Sequence, residues 1–174
     1  MMKQKLMLIL GVLGLCIAIL TACSGGKTSK NADGTPSTLK SRYLGYYRSD
    51  TDNATYFDET TNEFDFDVNK STISDGTEIE SHIKTYQVLS EDELASNFKG
   101  QAEKNKGEIK NTDTAVFYIG LISDDRNGNK DGKISADEQR SVYQIILSNN
   151  GNSIKILSLG DDWDQFAFTG TAKD

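Results

Sequence analysis

The sequence predicts an all-β domain with one short helix, built as an antiparallel meander and closed into a small barrel or curled as a sandwich. Three observations carry that expectation. Glu63-Phe64-Asp65-Phe66-Asp67-Val68 alternates acidic and apolar residues without a break, the period of a strand with one wet face. Thr114 to Ser123 is the most apolar run of the domain, as its central strand would be. Asn149-Asn150-Gly151-Asn152 separates two further strand-like runs, and Asn-Gly is a strong hairpin signal.

Taken in order, the strands are expected at Tyr43 to Arg48, Ala54 to Asp58, Glu63 to Val68, Glu78 to Leu89, Thr114 to Ser123, Arg140 to Ser148, Ser153 to Leu159 and Trp163 to Thr169. Polar turn formers separate them, among them Ser49 to Asn53 and Ser74-Asp75-Gly76-Thr77. Ser90 and Glu93 match a capping box, and Leu94 and Phe98 share a helical face, so a helix is expected from Glu91 to about Lys104. Gly100 weakens its second half. Roughly eight short strands joined mostly by tight turns suggest the meander.

The N-terminus carries a different grammar. Lys3 and Lys5 precede an apolar run from Leu6 to Leu20, which ends in Leu20-Thr21-Ala22-Cys23. A basic start, an apolar stretch and small residues before a cleavage point describe a secretory signal over residues 1–22. The run is too short and too glycine-interrupted for a spanning helix. Leu-Thr-Ala-Cys resembles the lipobox of bacterial lipoprotein precursors. That resemblance implies a diacylglycerol on Cys23, with further acyl groups of the palmitate type, cleavage before it, and a mature chain held on the extracellular face of the membrane. The only other cysteine, Cys16, would be removed with the signal, so no disulfide is expected.

Cleavage leaves 152 residues, enough for one domain with its own core. They hold 26 acidic and 17 basic side chains, a formal charge of −9, which argues against a nucleic-acid partner. Residues 23–41, rich in Gly, Ser, Thr, Asn and Lys, read as lipidated cysteine and flexible tether, with the domain at 42–174. Seventeen such residues would place the domain on the order of 20–25 Å from the lipid. The tether suits a Gram-positive surface. Tyr43-Leu44-Gly45-Tyr46-Tyr47 at the start and Trp163-Asp164-Gln165-Phe166 at the end resemble the small lipocalin-like barrels of bacterial lipoproteins.

One stretch, residues 125–138, carries metal chemistry. Asn127, Asn129 and Asp131 offer oxygens at alternate positions, with Gly132, Ile134 and Glu138 following at fixed offsets. From Asn127 to Glu138 this resembles the twelve-residue EF-hand loop. The resemblance implies that Lys133 gives its backbone carbonyl, that Ser135 takes the water-mediated position and that Glu138 is the bidentate carboxylate; Asp125 extends the alternation outward. Ca²⁺ prefers six to eight hard oxygens, which a curling chain supplies from every second residue. Asn at the first position leaves few carboxylates, so binding is expected in the range of about 10⁻⁴–10⁻³ M, with a structural purpose. A polar loop between strands can also form with no ion.

Enzyme signals are sparse. His82 is the sole histidine, and a strand would turn it away from Ser81. No phosphate-binding glycine loop, HExxH or GxSxG is present. The reading is therefore a non-enzymatic, monomeric domain binding an extracellular ligand or protein. Its rivals are a surface hydrolase acting on envelope glycan through paired carboxylates, and a carrier of a small apolar molecule with an aromatic-lined cavity. Those aromatics fill the core of a small barrel more often than they line a cavity.

Overall fold

A computed structural model describes residues 29–49, 62–77, 79–109, 115–122, 133–160 and 166–173. Eight antiparallel strands close into a barrel in which each strand pairs with its neighbours in sequence. They are β1 (Arg42–Ser49), β2 (Glu63–Asp67), β3 (Thr72–Ser74), β4 (Lys84–Leu89), β5 (Ala115–Leu121), β6 (Val142–Ser148), β7 (Ser153–Ser158) and β8 (Phe166–Ala172). Among the described residues there is one short α-helix, α1 (Ser96–Lys104).

Alternation decides which side chains enter the barrel. In β2, Phe64 and Phe66 are buried while Glu63, Asp65 and Asp67 face outward. Ile73 of β3, Tyr86 of β4, Phe117 and Ile119 of β5, and Tyr143, Ile145 and Leu147 of β6 fill the interior with Ile154, Ile156 and Phe168. Rings meet edge to face: Phe64 and Phe168 lie 4.8 Å apart at 76°, and Tyr43 and Phe66 6.1 Å apart at 88°. The expected aromatic core is thus the barrel interior.

The runs in β5 and β6 are apolar on both faces because something covers the outside. Leu94, Phe98 and Ala102 pack on Leu89, Tyr118, Val142 and Leu159 as a second, smaller core. A nine-residue helix is marginal alone, so this contact is what holds α1 in place.

Several boundaries differ from the sequence expectation. The expected strand Ala54 to Asp58 lies outside the described residues. β3 takes its place in the count; its three residues bury only Ile73, too little to register as a pattern. Where one strand from Glu78 to Leu89 was expected, a 3₁₀ turn at Glu80–His82 precedes β4. The Ser90–Glu93 capping box forms, with Glu93 Oε2 accepting from the Ser90 amide at 2.7 Å and hydroxyl at 2.8 Å. It caps a 3₁₀ turn at Glu91–Glu93, however, and extended backbone at Leu94 and Ala95 delays α1 to Ser96. β8 runs three residues later than expected. The hairpin turn is as expected, with left-handed backbone at Asn149, Asn150 and Gly151 (φ 52°, 56° and 82°).

The largest difference is at residues 29–40, which the composition assigns to the tether. They form a strap across one end of the barrel. Lys30 and Pro36 make an isolated bridge, Thr35 and Leu39 are buried, and Leu39 joins the main core. Asp33 accepts from the Thr35 amide at 3.0 Å and hydroxyl at 2.7 Å, and from the Tyr86 hydroxyl at 2.6 Å. Burial and the adjacent Asp33 carboxylate push the Tyr86 phenol far up, so it stays a donor.

Tyr43 ties strap to barrel. Its buried hydroxyl accepts from the Lys40 amide at 2.9 Å and donates to the Gly151 carbonyl at 2.9 Å, and burial raises its pKa to about 12. A Cβ on Gly151 would overlap the Thr38 carbonyl, so the hairpin and the strap meet backbone to backbone. Tyr43→Phe keeps the ring but strands the buried Gly151 carbonyl and the half-buried Lys40 amide, an expected loss of about 1–3 kcal/mol. Thermal unfolding should show a fall in Tm of several degrees, and limited proteolysis should cut earlier within residues 29–40. An unchanged Tm would contradict this role for the hydroxyl.

Candidate functional site

The alternation of strand direction gathers the connections into two sets. Residues 50–62, 75–83, 122–141 and 159–165 join strands at one end of the barrel. The strap, residues 68–71, the segment carrying α1, and the β6–β7 hairpin lie at the other.

The metal-loop expectation falls in the first set. Asp125, Asn127, Asn129 and Asp131 lie outside the described residues, as does Cys23. Lys133, Ser135 and Glu138 are described. Lys133 is exposed, while Ser135 and Glu138 form a tight turn. Glu138 Oε2 accepts from the Ser135 amide at 2.9 Å and hydroxyl at 2.5 Å, and the Glu138 amide donates to the Ser135 carbonyl at 3.0 Å. The Ile134 amide donates to Gln87 Oε1 at 2.7 Å, and the Ile134 side chain lies over Gly120. Buried Gln139 accepts from the Ala95 amide at 2.9 Å and donates to the Glu93 carbonyl at 2.7 Å. This end of the loop is therefore pinned to β4, β5 and the segment before α1. Among the described residues no group of three His, Cys, Asp or Glu side chains is placed to hold a metal.

The same end of the barrel holds a buried carboxylate that the sequence did not single out. The Asp75 side chain is fully buried. Its Oδ1 accepts from the Thr77 amide at 3.1 Å and hydroxyl at 2.6 Å, and its Oδ2 sits 2.7 Å from His82 Nδ1. Burial acts to raise the Asp75 pKa, but the Thr77 and His82 hydrogen bonds more than offset it and hold the carboxyl below its usual range. Ser-Asp-Gly-Thr read only as a turn, and the turn is formed by this carboxylate, with Gly76 at φ 76° against Glu63.

An Asp–His pair is half of a hydrolytic relay. The other half needs a hydroxyl or thiol on the far ring nitrogen. Among the described residues the hydroxyl that meets the ring is that of Thr77, 3.1 Å from the same Nδ1, and it donates to Asp75. The three side chains make a closed triangle that holds the 75–83 turn. His82 is in a 3₁₀ turn here, and its partner is a carboxylate seven residues back.

At the opposite end an open groove of about 1020 Å³ runs between the strap and the segment carrying α1. Val88, Val116, Phe117 and Ile109 supply apolar surface, and its charged lining is mixed, Lys30 and Lys106 with Asp33, Glu91 and Glu93. Its lining takes Val88, Ala115 and Phe117 from the inward face and Leu89, Val116 and Tyr118 from the outward face, so it lies at the rim of the barrel, above an interior occupied by side chains.

No family model, curated protein or solved structure matches the chain. The fold and the site stand on the residues alone.

The Asp75 carboxylate makes an acid-side prediction. Its folded pKa lies below the unfolded value near 3.8, so its stabilisation is complete above that value and is lost as pH falls through the folded pKa. Asp75→Asn should lower Tm at neutral pH, and the gap to the parent should narrow as pH falls through the acid range. Melting curves between neutral and strongly acid pH check this; a gap independent of pH would contradict it.

Proposed function

We propose that this chain is a lipid-anchored lipoprotein of the extracellular membrane face, a non-enzymatic domain that binds a ligand or partner protein through its outer surface. What supports the anchor is Leu20-Thr21-Ala22-Cys23 following a basic start and an apolar run. The observation that carries the binding mode is the packed interior. With Tyr43, Phe64, Ile119, Ile145, Ile156 and Phe168 fully buried inside, a carrier of the cavity type has little to offer a ligand. The groove beside the strap instead combines apolar walls with charges of both signs, Lys30 and Lys106 beside Asp33, Glu91 and Glu93, which suits an amphipathic ligand.

The calcium reading belongs to the same proposal. Its support is the sequence spacing together with the Ser135–Glu138 turn, which faces the ninth and twelfth positions of the loop toward each other. Asp125, Asn127, Asn129, Asp131 and the Lys133 carbonyl would complete the oxygen set around Ca²⁺.

Two measurements test the proposal. In the chelator-treated mature domain, about 10 mM calcium should add roughly 1.4–2.7 kcal/mol, an upward Tm shift of several degrees. Magnesium should not reproduce the shift, and Glu138→Ala should abolish it; no shift would reduce residues 125–138 to an ordinary polar loop. Intact mass of the protein extracted from membranes should show acyl groups on residue 23, and Cys23→Ala should release the chain from the membrane. An unmodified residue 23 would sink the anchor.

A further inference from the structure

The geometry points to a fixed orientation on the bilayer: the strapped end of the barrel, with the 149–152 hairpin and the 68–71 turn, rests against the lipid surface and the opposite end faces away. This inference rests on the lipid anchor at Cys23. Two independent observations carry it, the length of chain before the strap and the distribution of charge between the ends.

The strap shortens the tether. Its first described residue, Ser29, is already bonded to Ser37, the amide of Ser37 donating to the Ser29 carbonyl at 2.8 Å. Only six residue steps separate Cys23 from Ser29, a span of at most about 20 Å when fully extended. The strap lies where β1 begins and β6 turns into β7, so the chain leaves the barrel at that end. The seven residues of β6 cover about 23 Å along a strand, and strand tilt reduces that to about 18 Å of barrel height before loops are added. Turning the far end toward the lipid would therefore draw the whole tether straight along the barrel wall. Lying on the strapped end leaves it slack.

Charge acts in the same direction. Among the described residues, the connections at the far end hold four acids, Asp75, Glu80, Asp137 and Glu138, and two bases, Lys133 and Arg140. Leaving aside the α1 segment, which runs along the wall to Gln139, the strapped end holds one acid, Asp33, and four lysines. Lys30, Lys40, Lys70 and Lys173 are exposed there, and the groove opens at the same end. An anionic bilayer repels the far end and tolerates or attracts the strapped one, most strongly within a Debye length of about 8–10 Å. A ligand entering the groove would then be met close to the membrane surface.

The test uses the mature chain, in which Cys23 is the only thiol. Coupling it to a maleimide lipid in nanodiscs of mixed zwitterionic and anionic phospholipid imposes the anchor chemically. A gadolinium-headgroup lipid then broadens amide signals near the surface. Amides of residues 149–152 and 69–71 should lose intensity, while those of 75–77, 79–83 and 160 keep theirs. A twenty-residue Gly-Ser insertion before Ser29 should weaken the contrast, and adding salt should weaken it further. Equal broadening at both ends, or broadening confined to 75–83, overturns the orientation. So does a strapped end that stays sharp and instead shifts with protein concentration, which would mean that a second copy covers it. Because the anchor is supplied chemically, these outcomes are independent of acylation in the cell, which the mass of residue 23 reports.

Discussion

Everything in this domain depends on the seam where the last strand meets the first. β1 and β8 pair over seven residues, from Tyr43 opposite Ala172 to Ser49 opposite Phe166, and next to the central pair Gly45 faces Gly170. A Cβ on Gly45 would overlap the Thr169 carbonyl and come within 2.6 Å of the Gly170 Cα. A Cβ on Gly170 would meet the Phe168 ring at 2.6 Å and the Leu44 carbonyl at 3.0 Å. Two facing glycines thus let the strands approach where side chains would hold them apart, and Phe168 folds into the space beneath. Closure removes both sheet edges and gives the interior rings their walls.

A closed barrel of this size has room for its own side chains, and the rest of the molecule is arranged around that fact. The strap seals one end through Leu39, Tyr43 and the Asp33–Tyr86 hydrogen bond, so the chain enters the fold already fastened. The other end is shaped by a buried carboxylate, Asp75, and by the Ser135–Glu138 turn, both in loops rich in acid. The groove at the rim is the surface on which the proposed recognition rests. With the proposed anchor at Cys23, a polarised barrel on a short lead would present its two ends to different surroundings, lipid on one side and the extracellular medium on the other.

How much of this was legible depended on whether a residue's partner was near in sequence. Alternation in Glu63–Asp67 exposed β2, and Asn149–Asn152 announced its hairpin, because both signals are local. The apolar β5 was legible as the centre of the domain, although nothing local said that Phe98 and Ala102 would cover its outer face and that of β6. The strap was not legible. Its composition is that of a tether, and what orders it are hydrogen bonds to residues far away, Asp33 to Tyr86 and Tyr43 to Gly151. Asp75 and His82 were hidden in the same way, the first read as a turn residue and the second as a strand residue. Of the expected calcium ligands, Lys133, Ser135 and Glu138 have a described geometry, and the spacing alone speaks for the others.

The most direct measurement of the central claim is native-state amide hydrogen exchange across the seam. If β1 and β8 close the barrel, the amides pairing Tyr43–Arg48 with Ala167–Ala172 open only with the global unfolding of the domain, at the same free energy as those of β5 and β6. Seam amides that exchange freely while β5 and β6 stay protected would make this an open sheet. The packed interior, the sealed end and the outward-facing site would then all have to be abandoned.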